Sequence, residues 1–353
     1  MSLELLRALE PARSMQTGPG PLTTVVRELL RLDADELGGL FADAERRDAL
    51  LRLTAQVCDK AAGDPGYALE LHRVLHALYD LHLKIPKPGR AHPQFAGILA
   101  DIAGFAERAF LADLERSIDL SPLDDMPREP GAFRRWLTRL IHAHPAYKHP
   151  YYTDFLAQRA GLADLRRFFV DESTIDARLD DILALLQLGT SGGVKLEIGR
   201  NFWDEIGNGT LAATHTVLFT QALADVGIDE ADLDGAASLE SLVCGNLSVL
   251  LALHRRHFHK AIGYYAVTEY LVPDRFQHIV TGWRRNGLSE QGLEYHRLHI
   301  RMDAQHASGW LNQVISPLVE APDVRRPVAI GALYRLETSH RYLEGLAREP
   351  LSA

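Results

Sequence analysis

The chain has 353 residues, 46% of them hydrophobic and 24% charged, with a formal net charge of −9. These proportions describe a soluble globular chain, long enough for one large domain or two ordinary ones. The acidic balance, with no Lys/Arg tract beyond a local pair or triplet, excludes a broad nucleic-acid surface. Cys58 and Cys244 are far apart in apolar surroundings, which excludes a disulfide framework and a cysteine zinc site and fits a reducing cytoplasm. The opening MSLELLRALEPARS lacks a basic start followed by a continuous apolar stretch, so it is not read as a secretory signal. No apolar run approaches the ~20 residues of a membrane helix.

The pattern along the chain is helical almost throughout. Residues 68–83 place Leu71, Val74, Leu75, Leu78 and Leu81 on one stripe, and residues 95–112 do the same with Phe95, Ile98, Leu99, Ile102, Phe105 and Phe110. KIPKPGRAHP (84–93) is a loop by its prolines and glycine. LSPLDDMPREPG (120–131) is a stronger break and marks a domain boundary near residue 125. Beyond it the pattern predicts helices over about 131–142, 150–159, 163–169, 174–187, 194–225, 236–270, 273–286, 289–315 and 325–347. GTSGGVK (189–195) reads as a helix C-cap and turn, and no dinucleotide or P-loop fingerprint appears. The expected fold class is all-α: an N-terminal helical region, 1–125, and a C-terminal helical bundle, 126–353.

Three segments carry chemistry. In LEYHRLHIRMDAQHASGW (293–310), Asp303 falls ~40° to one side of His299 and His306 ~20° to the other, at ~100° per residue. Two imidazoles and a carboxylate on one stripe make a poor core face, and a bound cation would offset that cost. His296, ~60° away, sits at the edge of the same face and could support a ligand. The competing reading is a solvated or hydrogen-bonded polar stripe.

In NFWDEIGNGTLAATHTVLF (201–219), Glu205 and His215 would be ~15 Å apart in an unbroken helix. Gly207 and Gly209 between them permit an unwinding that brings both to one centre. The alternative is a helix ending at Gly207 and a new one starting near Thr210, with Asp204 and Glu197 as rival carboxylates. In AIGYYAVTEYLVPDRFQHIV (261–280), Glu269 interrupts an apolar run. A position bridging two metal ions would satisfy both its oxygens; the competing reading is an exposed glutamate at a helix end before Pro273. Together, Glu205, His215, Glu269, His299, Asp303 and His306 are three carboxylates and three histidines, a set that nearly balances two ferrous ions and belongs to the ligand class of carboxylate-bridged di-metal sites.

These segments resemble the haem-oxygenase-like di-iron oxidases and oxygenases. The motifs are Asp204-Glu205-Ile206-Gly207-Asn208-Gly209 followed by His215; Gly263 to Glu269 followed by Pro273; and Tyr295, His299, Asp303 and His306. With RLDDILALLQLG (178–189) upstream, the resemblance spans roughly 130–347. It implies the helical fold of haem oxygenase, two iron ions (Fe2+/Fe3+) held by the six residues, O2 as co-substrate and an external electron donor. The ten-residue gap from Glu205 to His215 is similar to the N-oxygenating branch, the type that makes the nitroso group of streptozotocin. That branch implies a peroxo-di-iron(III) intermediate attacked by a nitrogen of an amine, guanidine or amino-acid-derived small molecule, and an N-terminal helical region used for homodimerisation. The cupin domain of that branch is missing from this chain, so its later rearrangement step is not expected.

Arg335 and Arg341 are the cations available for a substrate carboxylate, against the competing reading of surface solvation. Two other functions stay open. One is a di-iron oxidase that desaturates, decarboxylates or cleaves an amino or fatty acid. The other is a non-catalytic helical interaction protein.

Overall fold

The computed structural model describes residues 19–348, without the side chains of Asp176 and Asp303. The expectations for the first fourteen residues and for the Asp303 carboxylate therefore lie outside the described residues. The chain divides into two compact units between Ser117 and Ile118, at the start of the proline-rich connection in which a boundary near 125 is expected. Among the described residues there is no strand, in line with the all-α expectation. None of the described helices is long and apolar enough to cross a membrane.

The first unit holds α1 (Pro21–Leu29), α2 (Ala34–Leu40), α3 (Ala44–Ala61), α4 (Pro65–Leu83) and α5 (Gly97–Ser117). Asp33, Asp43 and Asp64 cap α2, α3 and α4 by accepting the first free N–H groups. Glu70, buried in α4, does the same for α1, accepting from the Leu22 N–H at 2.6 Å. Val26, Leu50, Val74, Leu75 and Ile102 form the centre of its core. Phe95 is a correction: it lies in a 3-10 turn, Pro93–Phe95, and is 84% exposed. The Gly97 helix start leaves it outside the apolar stripe.

The second unit contains α6 (Pro130–Ala143), a π-helical segment Tyr151–Leu156, α7 (Leu162–Glu172), α8 (Leu179–Leu186), α9 (Gly192–Glu205), α10 (His215–Asp225), α11 (Leu239–Leu253), α12 (Phe258–Arg285), α13 (Glu294–Gly309) and α14 (Pro322–Arg348). The expected turn at 189–195 is present between α8 and α9. Three expectations need correction. The span 194–225 is broken between Glu205 and His215. The span 236–270 is broken at His254, whose extended backbone ends α11. The break expected at 270–273 does not occur, because α12 continues through Pro273.

A proline inside a helix withholds the N–H that would bond the carbonyl four residues back. For Pro273 that carbonyl belongs to Glu269, so the ladder is interrupted at the carboxylate residue itself. The helix is held through this defect by tight packing of α12 on α14. A Cβ on Gly263 would lie 1.9 Å from the Val328 carbonyl oxygen, and one on Gly331 would lie 1.8 Å from that of Lys260. The two backbones thus touch at both glycines.

Candidate metal centre

Glu205 is the last residue of α9 and His215 the first of α10. Between them the chain reverses through Gly207, at φ 65°, and Asn208, at φ 52°. A Cβ on Gly207 would meet the Ala213 carbonyl carbon at 2.5 Å, so only glycine fits this left-handed, crowded position. Both alternatives read from the sequence are partly right. The helix does end here, and the interruption does bring Glu205 and His215 together, with His215 Nδ1 2.6 Å from Glu205 Oε2.

α13 adds His299, whose ring centroid is 4.4 Å from that of His215. Ligand-type atoms of Glu205, His215 and His299 all lie within 4.8 Å of one another, and all three residues are buried. His299 Nδ1–H donates to the Tyr295 carbonyl at 2.8 Å. That bond fixes the tautomer and leaves the Nε2 lone pair exposed to the cluster. Nε2 of His299 and Nε2 of His215 are buried with no hydrogen-bond partner.

About two turns along α13, His306 Nε2–H donates to Asp204 Oδ2 at 2.9 Å, and its Nδ1 lies 3.4 Å from Glu269 Oε2. Glu269 is buried mid-helix, so the reading of an exposed helix end is corrected; α12 simply does not stop there. Asp204, considered from sequence as a rival to Glu205, instead orients His306 and is itself held by Asn208 Nδ2 at 3.1 Å. Glu197, the other rival, is buried against Gly309 and pairs with Arg200 at 2.7 Å. His296 is enclosed by Phe169, Phe276, Trp283 and Tyr295. Burial pushes its pKa down to about 3, so it is a neutral ring in an aromatic box.

The electrostatics belong to a site made for a cation. Burial pushes the Glu205 carboxyl up, against the hydrogen bond from His215 that pulls it down, while Glu269 raises it and His306 lowers it. Burial, and then His215, hold His299 well below the usual imidazole range. Unpartnered imidazole nitrogens and crowded carboxylates, all desolvated, are costly without a positive charge between them. Nitrogen and oxygen donors without sulfur suit iron, manganese or zinc. The residues present therefore fit an iron centre, with Phe276 and Tyr295 packed 5.3 and 4.3 Å from the His299 ring as its dry wall.

The centre opens on a narrow cavity of about 30 Å³ walled by Tyr152, Glu172, Glu269, Arg275, His299 and Arg335, among others. Arg335 is buried, donating through Nε to Thr268 Oγ1 at 2.9 Å, which overturns its surface reading. Arg341 is 37% exposed and sits 3.9 Å from Glu337; it does not line the cavity. Arg275 and Glu172 were not singled out from sequence. Arg275 shares the cavity face of α12 with Thr268, Glu269, Val272 and Phe276, an i, i+1, i+4, i+7, i+8 pattern that was available as a signal.

A second group outside the cavity has similar composition. Ligand-type atoms of His149, His340 and Glu344 also lie within 4.8 Å of one another. Here the Tyr151 N–H donates to His149 Nδ1 at 3.1 Å, and His149 Nε2–H donates to Glu344 at 3.2 Å. Nearby His144 accepts from the Ala146 N–H at 3.2 Å and turns Nε2 toward Glu337 at 3.6 Å.

Residues 166–340, just under half of the chain, match the family described as iron-containing redox enzyme. The description of that family agrees with the nitrogen and oxygen donor set found in this all-α unit. Over 150 residues the chain is 29% identical to the 4-chloro-allylglycine synthase of Streptantibioticus cattleyicolor, a match covering 42% of this chain and 57% of that relative. The chain thus spans little more than half the length of the relative.

Proposed function

We propose that the chain is an O2-dependent, non-haem di-iron oxygenase that N-oxygenates an amine, guanidine or amino-acid-derived small molecule, with Glu205, His215, Glu269, His299, Asp303 and His306 holding the two irons. The observation that carries the di-metal reading is the doubled arrangement. Glu205, His215 and His299 form one buried group, and Glu269 and His306 stand beside it, close enough to act on the Glu205 carboxyl. When bound, two ferrous ions would supply the electrons that activate O2. The chain's own residues set the conditions for this. The Tyr295 carbonyl fixes the His299 tautomer and Asp204 fixes that of His306. Phe276 and Tyr295 exclude water around His299, which strengthens every charge interaction inside. The two protein carboxylates described here have no lysine or arginine bonded to them, so their charge is available to metal.

A second reading is favoured by the relative, whose product name denotes an amino acid with an alkene. It keeps the centre and changes the outcome to desaturation, decarboxylation or C–C cleavage. The test is to load the protein anaerobically with Fe(II), admit O2 and identify products from a panel of amines, guanidines and amino acids. Consumption of O2 with a product that keeps every carbon and gains oxygen on nitrogen supports N-oxygenation. Loss of carbon or hydrogen supports the second reading, and a chain that binds no Fe(II) sinks both. An external electron donor, homodimerisation and a cytoplasmic location remain part of the proposal; size-exclusion with light scattering tests the dimer.

A further inference from the structure

The cavity beside the metal centre contains two buried arginines whose positive charge the centre does not use. Arg275 and Arg335 are each more than nine-tenths buried. The hydrogen bonds that hold them go to neutral acceptors: Arg335 Nε to Thr268 Oγ1 at 2.9 Å, and Arg275 Nη2 to the Ala146 carbonyl at 3.1 Å. Each guanidinium also lies over an aromatic ring, Arg275 over Tyr152 at 5.3 Å and Arg335 over Tyr264 at 5.5 Å. These contacts orient the planes, and the two guanidinium groups share one nearby carboxylate, Glu172, as counter-ion. Arg275 Nε is buried with no hydrogen-bond partner. Desolvated guanidinium groups in this state recruit a planar anion, and a carboxylate matches their paired donors.

Two carboxylates line the same cavity: Glu269, 3.4 Å from His306 on the side of the metal centre, and Glu172, half-buried at the end of α7. With Glu269 given to the metal centre, two arginines against Glu172 leave one positive charge for a ligand to balance. A zwitterion satisfies all three groups, with its carboxylate toward the arginines and its ammonium toward Glu172. Val272, Ile175 and Leu179 give the remaining wall an apolar lining suited to a side chain.

We infer that this cavity is an α-amino-acid subsite, in which Arg275 and Arg335 hold the carboxylate and Glu172 the ammonium, while the substrate side chain extends toward His299 and Glu269. The inference rests on the di-iron reading for what happens to that side chain, but not for the binding itself. The cavity as described holds one or two waters, so an amino acid enters by parting its walls. Ile175 and Leu179 flank a single 3-10 turn, Asp176–Arg178, which has the least helical support among the walls.

The test is a binding measurement on the full chain without iron, so that failure of the chemistry and failure of the subsite are separate results. The twenty standard L-amino acids are screened by calorimetry, and each hit is compared with its decarboxylated amine, for example L-lysine with cadaverine and L-arginine with agmatine. The expected result is at least one amino acid bound at least tenfold more tightly than its amine. Arg335→Gln and Arg275→Gln should remove that preference while leaving affinity for the amine, circular dichroism and Fe(II) content unchanged. Glu172→Gln should weaken the amino acid but not its N-acetyl derivative relative to wild type. No hit among the twenty, or an amine bound as tightly as its amino acid, overturns the inference on the wild-type protein alone, whatever the variants do.

Discussion

Two histidine–glutamate groups of the second unit look alike in composition and differ in one atom-level detail. At His299 the backbone presents a carbonyl to Nδ1, so Nδ1 carries the proton and Nε2 is a lone pair. At His149 and His144 the backbone presents an N–H to Nδ1, so Nε2 carries the proton; His149 Nε2–H donates to Glu344, and His144 Nε2 lies 3.6 Å from Glu337. An imidazole hydrogen-bonded through both nitrogens in this sense cannot offer a lone pair to a metal without losing its backbone partner. The first group is built to receive a cation; in the second, His149 is closed by hydrogen bonds, although His340 Nδ1 is buried with no hydrogen-bond partner. Proximity of histidine and carboxylate is therefore a weaker guide to a metal site than the backbone group behind each ring.

The contrast can be broken in order of expected effect. His299→Ala should weaken Fe(II) binding by more than the ~10–100-fold typical of losing a supporting partner, whereas His149→Ala should leave iron content at the wild-type level; equal iron loss in both, measured by metal analysis, would erase the distinction. Asp204→Asn keeps the shape but weakens the hold on His306, and should cost roughly 10–100-fold in iron affinity with little change in thermal stability. Gly207→Ala forces a side chain into a left-handed position and against the Ala213 backbone. It should cost on the order of 1–3 kcal/mol from the backbone strain alone, and more iron affinity than a remote change of equal stability. His149→Ala removes two hydrogen bonds from a buried ring and should cost about 1–3 kcal/mol in denaturant unfolding, with no effect on O2 consumption.

The smallest effect is pH dependence. Burial lowers the pKa of His149, more than the Glu344 hydrogen bond raises it, and burial lowers that of His299 as well. A histidine whose folded pKa is depressed contributes stability that is complete above its unfolded value near 6.5 and is lost as pH falls below it. Iron-free protein should therefore lose stability below about pH 6.5. Fe(II) affinity should fall in the same direction, since its ligands must be unprotonated. His149→Ala should make the stability profile shallower and leave the iron profile where it was.

Much of this was legible in the sequence because helical periodicity reports burial directly. The stripes of α4 and α5 and the spacing of His299 and His306 needed only 3.6 residues per turn. The meeting of Glu205 with His215 was legible as one of two alternatives, through the two glycines. Three things were not. Phe95 fits an apolar stripe by spacing, but a 3-10 turn displaced it, and periodicity does not mark where a helix begins. Pro273 reads as a stop, and only the packing of α12 on α14 shows that the helix survives it. Arg335 and Arg275 look like surface residues because a charged side chain in an amphipathic pattern is usually solvated; nothing local says that the polar face is turned inward.

The glycine contact between α12 and α14 bears on how such a chain can change. Because Gly263 and Gly331 leave no side chain at the crossing, α12 cannot slide along α14 without backbone collision. Glu269 and Arg275 on one helix are thereby kept in fixed register with Arg335 on the other. The residues free to vary are those on shorter elements, Tyr152, Ile175 and Leu179. Divergence at these positions would alter which molecule is accepted while the oxidising machinery stays untouched, so selectivity and reactivity are inherited on separate parts of the same fold.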